Sequence, residues 1–158
     1  MSSTGPTREV LDWLNRNGWF PGRDIGDSAR DLIRVRLKDA EAQGFPLEAV
    51  EAAVHVIRTY GLLSLEHPRA SHSAFETEPT GGYDGDAREI AEMAANLGVP
   101  LFPVGFESSE LGIILVDKFG RWFLLHHTGG YFLGEDAYDA FSRFITNAET
   151  PDAEDFFV

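Results

Sequence analysis

Residues 112–126 read GIILVDKFGRWFLLH, and this stretch decides the fold class. Two apolar runs, 112–117 and 121–126, flank residues 117–120, a pattern typical of a hairpin closed by a type I turn with Gly120 in the left-handed conformation. Neither run alternates with polar residues. We therefore predict two central antiparallel strands that are covered on both faces of a sheet.

Five helices are predicted around these strands from the helical spacing of apolar side chains. Thr7 and Asp27 are expected N-caps, and Pro46 suits the first position of the third helix. Asp86 with Glu89 resembles a capping box for the fourth. Helices are expected at residues 7–18, 27–44, 46–60, 86–98 and from 135 onward, and further strands at 62–66, 73–77, 101–105 and 131–133.

The sequence thus predicts an α+β fold with a helical N-terminal third, a central and mainly antiparallel sheet containing a meander, helices packed on the sheet and a C-terminal helix. The chain has 158 residues, the usual size of one domain. We expect a flexible N-terminus at 1–6, a single domain at 7–147 and an acidic tail at 148–158 that is solvated up to Phe156. The opening residues carry neither a basic start nor an apolar run, so we expect no signal peptide and a cytoplasmic location.

Charge restricts the class of partner. Lys and Arg number 13 against 26 Asp and Glu, a formal net charge of −13. A chain of this sign repels polyanions and anionic membranes, so neither nucleic acid nor a lipid surface is an expected partner. A basic protein is favoured instead. Candidate partner-binding carboxylates cluster on predicted turns and on the tail: Glu76, Glu78, Asp84, Asp86, Glu107, Glu110, Asp152, Glu154 and Asp155.

The basic residues are concentrated near the second helix, where Arg30, Arg34 and Lys38 follow one another at four-residue spacing. Acidic residues interleave with them, which is typical of a solvated helix face. Arg23 and Arg36 belong to the same basic cluster.

No catalytic or metal-binding constellation emerges from the sequence. Cysteine is absent, which excludes disulfides, thiolate zinc sites and a cysteine nucleophile. His126 and His127 are adjacent, but neighbouring strand residues point to opposite faces and cannot readily share one ion. Ser108 and Ser109 lack the spacing of a nucleophile elbow. We therefore predict no cofactor, no metal and no catalytic residue, and an enzyme relying on His126 or His127 remains the lesser alternative.

Five short motifs occur in order along the chain, each read first as a turn or junction. Trp19 and Pro21 of the first motif are expected to fill the junction between helix and sheet. The motifs are GWFPGR at 18–23, YGLL at 60–63, LFPVG at 101–105, VDKFGR at 116–121 and GGYFLG at 129–134. Together they resemble the third immunity-protein subfamily of the SUKH superfamily, although that family usually has two glycines where this chain has Gly61 and Leu62. The residues that carry the resemblance are Gly18, Trp19, Pro21, Gly22, Arg23, Tyr60, Gly61, Pro103, Gly105, Asp117, Gly120, Arg121, Gly130 and Gly134.

This resemblance implies a non-catalytic protein of a bacterial polymorphic toxin system that binds and neutralises a cognate toxin domain. Toxins of such systems are often nucleases or deaminases, and the acidic charge agrees with a basic toxin that acts on nucleic acid. The alternative is a cytoplasmic regulatory module that binds a protein or small ligand and has no toxin partner.

Overall fold

A six-stranded antiparallel sheet organises the molecule. The computed structural model describes residues 6–158, and the strands lie side by side in chain order, as in a simple meander. Within that range the mixture of helices with this sheet confirms the predicted α+β class. The helices are α1 Arg8–Arg16, α2 Asp27–Ala42, α3 Glu51–Tyr60, α4 Asp86–Leu97 and α5 Ala137–Ile145, with a 3₁₀ helix at Ala153–Phe156. The strands are β1 Ser64–Glu66, β2 Ala74–Glu76, β3 Leu101–Glu107, β4 Gly112–Asp117, β5 Trp122–His126 and β6 Gly129–Gly134.

The hairpin between β4 and β5 has the predicted turn. Gly120 has a φ of 88°, in the left-handed region that favours glycine. The buried Asp117 carboxylate accepts hydrogen bonds from the backbone N–H groups of Phe119 and Arg121, both at 2.9 Å. Nε of Arg121 also donates to Asp117 at 2.6 Å. These contacts satisfy a buried carboxylate within the turn itself.

Apolar side chains cover both faces of the sheet, as the unbroken apolar runs predict. Every residue of β4 is buried. Ile114 and Val116 belong to a core cluster that includes residues of α1, α3 and α5. Ile113 and Leu115 belong to a second cluster with α4 and the 3₁₀ helix. Successive side chains of β4 therefore point alternately into two cores on opposite faces of the sheet. Both faces of this strand must be apolar for that reason.

Capping side chains fix the N-termini of two helices. Thr7 accepts a hydrogen bond from the N–H of Val10 at 3.2 Å, which confirms the predicted cap of α1. Asp136 accepts one from the N–H of Asp139 at 2.8 Å and starts α5.

Two other helix starts differ from the prediction. The cap of α2 is Gly26, and Asp27 is the first helical residue, where its charge still favours the positive helix end. The third helix begins at Glu51, so a start at Pro46 is wrong. The physical reason is packing, because Leu47 contacts both core clusters and holds the preceding segment outside the helix.

The C-terminal segment packs on β6. The N–H of Phe132 donates to the carbonyl of Pro151 at 2.8 Å, and Phe156 stacks on Phe132 with ring centroids 4.5 Å apart. Ala153 is fully buried. The expectation that the tail is solvated up to Phe156 is therefore wrong for Pro151 and Ala153, because Pro151 is hydrogen-bonded to β6 and Ala153 is buried in the second core cluster. The acidic side chains themselves stay exposed: Asp152, Glu154 and Asp155.

Helix α1 covers the opposite edge of the sheet. Nε1 of Trp13 donates to the carbonyl of Glu66 at 2.7 Å, and Oδ1 of Asn17 accepts from the N–H of Glu66 at 3.3 Å. Both backbone polar groups of this edge residue are thereby engaged, and such cover limits the pairing of an edge strand with other chains.

The predicted N-terminal segment 1–6 lies outside the described residues except for Pro6. The domain boundaries at 7 and 147 stay a prediction. Across residues 6–158, no helix combines the length and apolar character needed to span a bilayer.

Candidate partner-binding surface

The aromatic motif after α1 has a structural role. Trp19 is buried, stacks on Tyr60 with centroids 5.8 Å apart and donates from Nε1 to the carbonyl of Thr59 at 3.2 Å. Arg23 donates to the same carbonyl at 3.3 Å. Pro21 is exposed, so its predicted position at the helix–sheet junction is wrong; it lies in a surface turn closed by the N–H of Arg23.

The other motif residues also maintain the fold. A Cβ atom on Gly105 would overlap the carbonyl of Glu76 on β2, and one on Gly134 would lie 2.5 Å from the backbone nitrogen of Ala140 on α5. These glycines let neighbouring elements approach closely. The remaining members occupy turns, helix ends and strands: Gly18, Gly22, Gly61, Pro103 and Gly130.

Asp86 does not belong to the exposed acidic surface. Its side chain is fully buried, and its Oδ2 lies 2.7 Å from Nη2 of Arg36, which is 2% exposed. The predicted capping box is also wrong, because Gly85 is the N-cap of α4, and the N–H of Ala87 in the first turn donates instead to Oε1 of Gln43 at 3.0 Å. Asp86 does not cap the helix because its carboxylate is engaged by Arg36, 50 positions earlier in the sequence.

Arg36 is likewise not part of a solvated stripe. It follows Ala29 and Ile33 and precedes Ala40 at spacings of three and four residues, which is the inward face of α2. This spacing is the sequence signal that could have identified its burial. Gln43 completes the site, because its Nε2 donates to Asp86 at 3.0 Å and its Oε1 accepts from the backbone of α4.

The turn of residues 80–85 is fixed on this ion pair. The N–H of Tyr83 donates to Oδ2 of Asp86 at 3.2 Å, and a Cβ on Gly82 would overlap that same oxygen. Gly81 lies against the ring of Phe106 on β3. The turn therefore presents Tyr83, 43% exposed, in a defined position. Burial, followed by the nearby Glu89 carboxylate, raises the pKa of the Tyr83 hydroxyl, which stays neutral.

The loop between β3 and β4 is organised by Glu107. Its carboxylate accepts hydrogen bonds from the hydroxyls of Ser73 and Ser109, both at 2.7 Å, and from two backbone N–H groups of the loop. Partial burial alone raises the pKa of Glu107, but the bonds donated by Ser109 and Ser73 outweigh it and hold the pKa below its usual value. Glu107 thus shapes the loop from within.

Leu111 stands out at the end of this loop. It has a φ of 59° and is 67% exposed. The left-handed conformation is unfavourable for a leucine, and because the side chain is largely exposed, little free energy of burial offsets this strain. The neighbouring Glu110 is also exposed and places Oε2 3.2 Å from Nε2 of His126.

His126 and His127 do not point to opposite faces. Their ring centroids lie 3.9 Å apart, because β5 ends at His126 and His127 is already in the following turn. Nδ1 of His126 lies 2.8 Å from the Thr128 hydroxyl, which in turn contacts Tyr131. Among residues 6–158, no group of three or more His, Asp or Glu side chains is arranged to hold a metal ion.

Tyr83 separates two depressions on the surface. The first, which we call the polar depression, has about 240 Å³ and is lined by Val35, Arg36, Asp39, Gln43, Thr80, Gly82, Tyr83 and Asp84. The second, the apolar depression, has about 280 Å³ and is lined by Gly81, Gly82, Tyr83, Phe106, Leu111 and Ile113. Of the acidic lining residues, charge on a predicted turn indicates Asp84, but Asp39 was not among the candidate residues. Val35, Tyr83 and Leu111 were also not predicted, since single apolar residues in polar segments carry no periodic signal.

The predicted carboxylates divide by position and by availability. Glu76 accepts from the hydroxyl of Ser64 at 2.8 Å, and Glu78 accepts from the N–H of Thr80 at 2.9 Å, so both are engaged locally. Asp84 and Glu110 project from the two loops beside Tyr83 and Leu111. The tail carboxylates line neither depression and adjoin edge strand β6: Asp152, Glu154 and Asp155.

The comparison with known families agrees with the motifs. A family model described as SUKH-3 immunity protein matches residues 6–147. The chain belongs to this family. The five ordered motifs indicate the same relationship.

One curated protein resembles the SUKH-3 chain over part of its length. A peptide chain release factor 2 of Acidothermus cellulolyticus (strain ATCC 43068 / DSM 8971 / 11B) is 30% identical over 136 residues, which cover 75% of this chain and 34% of that protein. The chain therefore spans about a third of the length of that relative. No solved structure matches the SUKH-3 protein.

Proposed function

We propose that this protein neutralises a basic toxin domain that acts on nucleic acid, by binding it in the cytoplasm and occluding its active site without catalysing a reaction. The observation that carries the proposal is a fixed surface on which exposed apolar side chains stand beside carboxylates, in a member of an immunity-protein family. Aromatic and aliphatic anchors within a polar rim are the usual anatomy of a protein interface.

Charge supports the choice of toxin class. An enzyme that grips nucleic acid must present a cationic cleft to the phosphates. A protein with a net charge of −13 attracts such a cleft and accelerates the encounter. The accessible surface is 8213 Å², so an interface of roughly 800 Å² on this partner takes about a tenth of it.

Co-expression tests the proposal directly. The toxin domain encoded beside the gene is expressed in a sensitive host alone, with this protein, or with an unrelated acidic protein of similar size. We expect growth to be restored only by this protein, because protection requires a specific interface and not acidity alone. Equal killing in all three cultures would refute the function.

Binding kinetics test the electrostatic part separately. We expect the association rate with the purified toxin domain to fall at least tenfold between about 20 mM and 200 mM salt, since steering between exposed charges is screened over a Debye length of roughly 10 Å at 0.1 M. The dissociation rate should change much less. A salt-independent association rate would contradict a basic toxin face.

A further inference from the structure

Tyr83 is the shared wall of two depressions that differ in chemistry. The polar depression carries the carboxylates of Asp39 and Asp84, and the apolar depression is formed by Phe106, Leu111 and Ile113. Gly82 and Tyr83 line both, so the two are adjacent on one face. A single partner segment can therefore reach both at once.

The polar depression suits a cation. Its one basic lining residue, Arg36, is 2% exposed and is already held by Asp86 at 2.7 Å and Asp39 at 3.0 Å. Oδ2 of Asp39 accepts from Arg36 and from Nε2 of Gln43 at 2.8 Å, but the side chain is 53% exposed and its Oδ1 is not engaged by these two donors. Asp84 is also exposed, so each residue offers a carboxylate oxygen to a partner. The exposed ring of Tyr83 adds an aromatic surface of the kind that attracts a guanidinium or ammonium group.

The apolar depression contains a residue whose conformation is unfavourable in the free protein. Leu111 has a φ of 59°, where glycine or asparagine is normally found, and its side chain is 67% exposed. Neither its backbone nor its side chain gains stability from this arrangement. Strained residues held in place by their surroundings are characteristic of binding sites.

Both loops are held in place by hydrogen bonds and side-chain packing. The turn that carries Tyr83 rests on Asp86 and on the ring of Phe106, while Glu107 ties together the loop that ends at Leu111. A surface that is already ordered loses little conformational entropy on binding. These anchors therefore need no rearrangement to receive a partner.

We propose that this face is the toxin-docking site: a Lys or Arg side chain of the toxin enters the polar depression between Asp39 and Asp84, and a neighbouring apolar side chain of the toxin packs against Leu111. This inference rests on the proposed function and assigns its interface. The predicted tail carboxylates then contribute long-range attraction only.

The chain provides a matched pair of variants for the test. Leu62 is a second leucine with a left-handed backbone, φ 62°, and it is 49% exposed, but it lines neither depression. Leu111→Gly and Leu62→Gly should each leave the melting temperature equal to or above that of the wild type, because glycine relieves the backbone strain. Only Leu111→Gly should weaken toxin binding, by at least tenfold in Kd measured by calorimetry.

A second pair isolates the charge. Asp84→Asn should lower the association rate several-fold and reduce its salt dependence, whereas Asp155→Asn, on the tail, should change the rate by less than twofold. If the wild-type protein binds the toxin domain and both Leu111→Gly and Asp84→Asn bind it with the same affinity, this docking site is wrong and the proposed function stands. Failure of the wild-type protein to bind or protect would overturn both.

Discussion

The buried ion pair beneath the Tyr83 turn offers the sharpest test of the packing argument. In Asp86→Ala, Arg36 keeps only Asp39 as a charged partner while it stays 2% exposed. The same change removes the acceptor for the N–H of Tyr83 and one of the two acceptors of Nε2 of Gln43, which keeps Asp39 at 2.8 Å. Loss of one partner from a buried pair costs about 3–5 kcal/mol, which corresponds to a melting temperature lower by roughly 6–20 °C in a domain of this size.

Urea denaturation followed by tryptophan fluorescence measures this cost. A double variant provides a second test. Arg36→Met combined with Asp86→Ala removes the uncompensated charge and should recover more than half of the lost free energy of unfolding. The exposed pair Asp27–Arg30, with side chains 88% and 72% exposed, is the control, and Asp27→Ala should cost less than about 0.5 kcal/mol. A cost below about 1 kcal/mol for Asp86→Ala, or no recovery in the double variant, would refute the reasoning.

Two further changes test the loop and the tail. Because the pKa of Glu107 is depressed in the folded state, its contribution is present above the unfolded pKa and is lost as the pH falls through the folded value. Glu107→Gln should therefore be less stable than the wild type by about 1 kcal/mol at pH 7, with the difference shrinking below pH 4.5 in urea titrations; a constant difference would contradict this role. Phe156→Ala, which removes stacking on Phe132, should cost about 1–3 kcal/mol, whereas a tail detached in solution would show no change.

The central hairpin was predictable because its signals are local. The apolar runs on either side of Asp117 and Gly120 determine both the strands and the turn, and nothing distant is needed to interpret them. The N-cap Thr7 of α1 and the burial of Trp19 followed from similar short-range patterns. Helix starts were less predictable, since the packing of Leu47 depends on two cores that assemble only in the folded chain.

The candidate surface was predicted only in part. Asp84 and Glu110 were identified from charge on turns, but charge alone could not separate them from Asp86, which is buried by a partner far away in the sequence. Glu107 was likewise identified as acidic, although its hydrogen bonds are directed into its own loop. Leu111 was not predicted, because a left-handed backbone conformation at a leucine has no signature in the sequence.

The covered edges of the sheet affect how readily copies of the protein associate with one another. Trp13 and Asn17 engage the backbone of Glu66 at one edge of the sheet, and Pro151 accepts a hydrogen bond from Phe132 at the other. These contacts occupy backbone groups that could otherwise pair with a strand of another copy. Covered edges disfavour self-association at high protein concentration. They likewise favour contacts with a partner through side chains over the addition of a strand to the sheet.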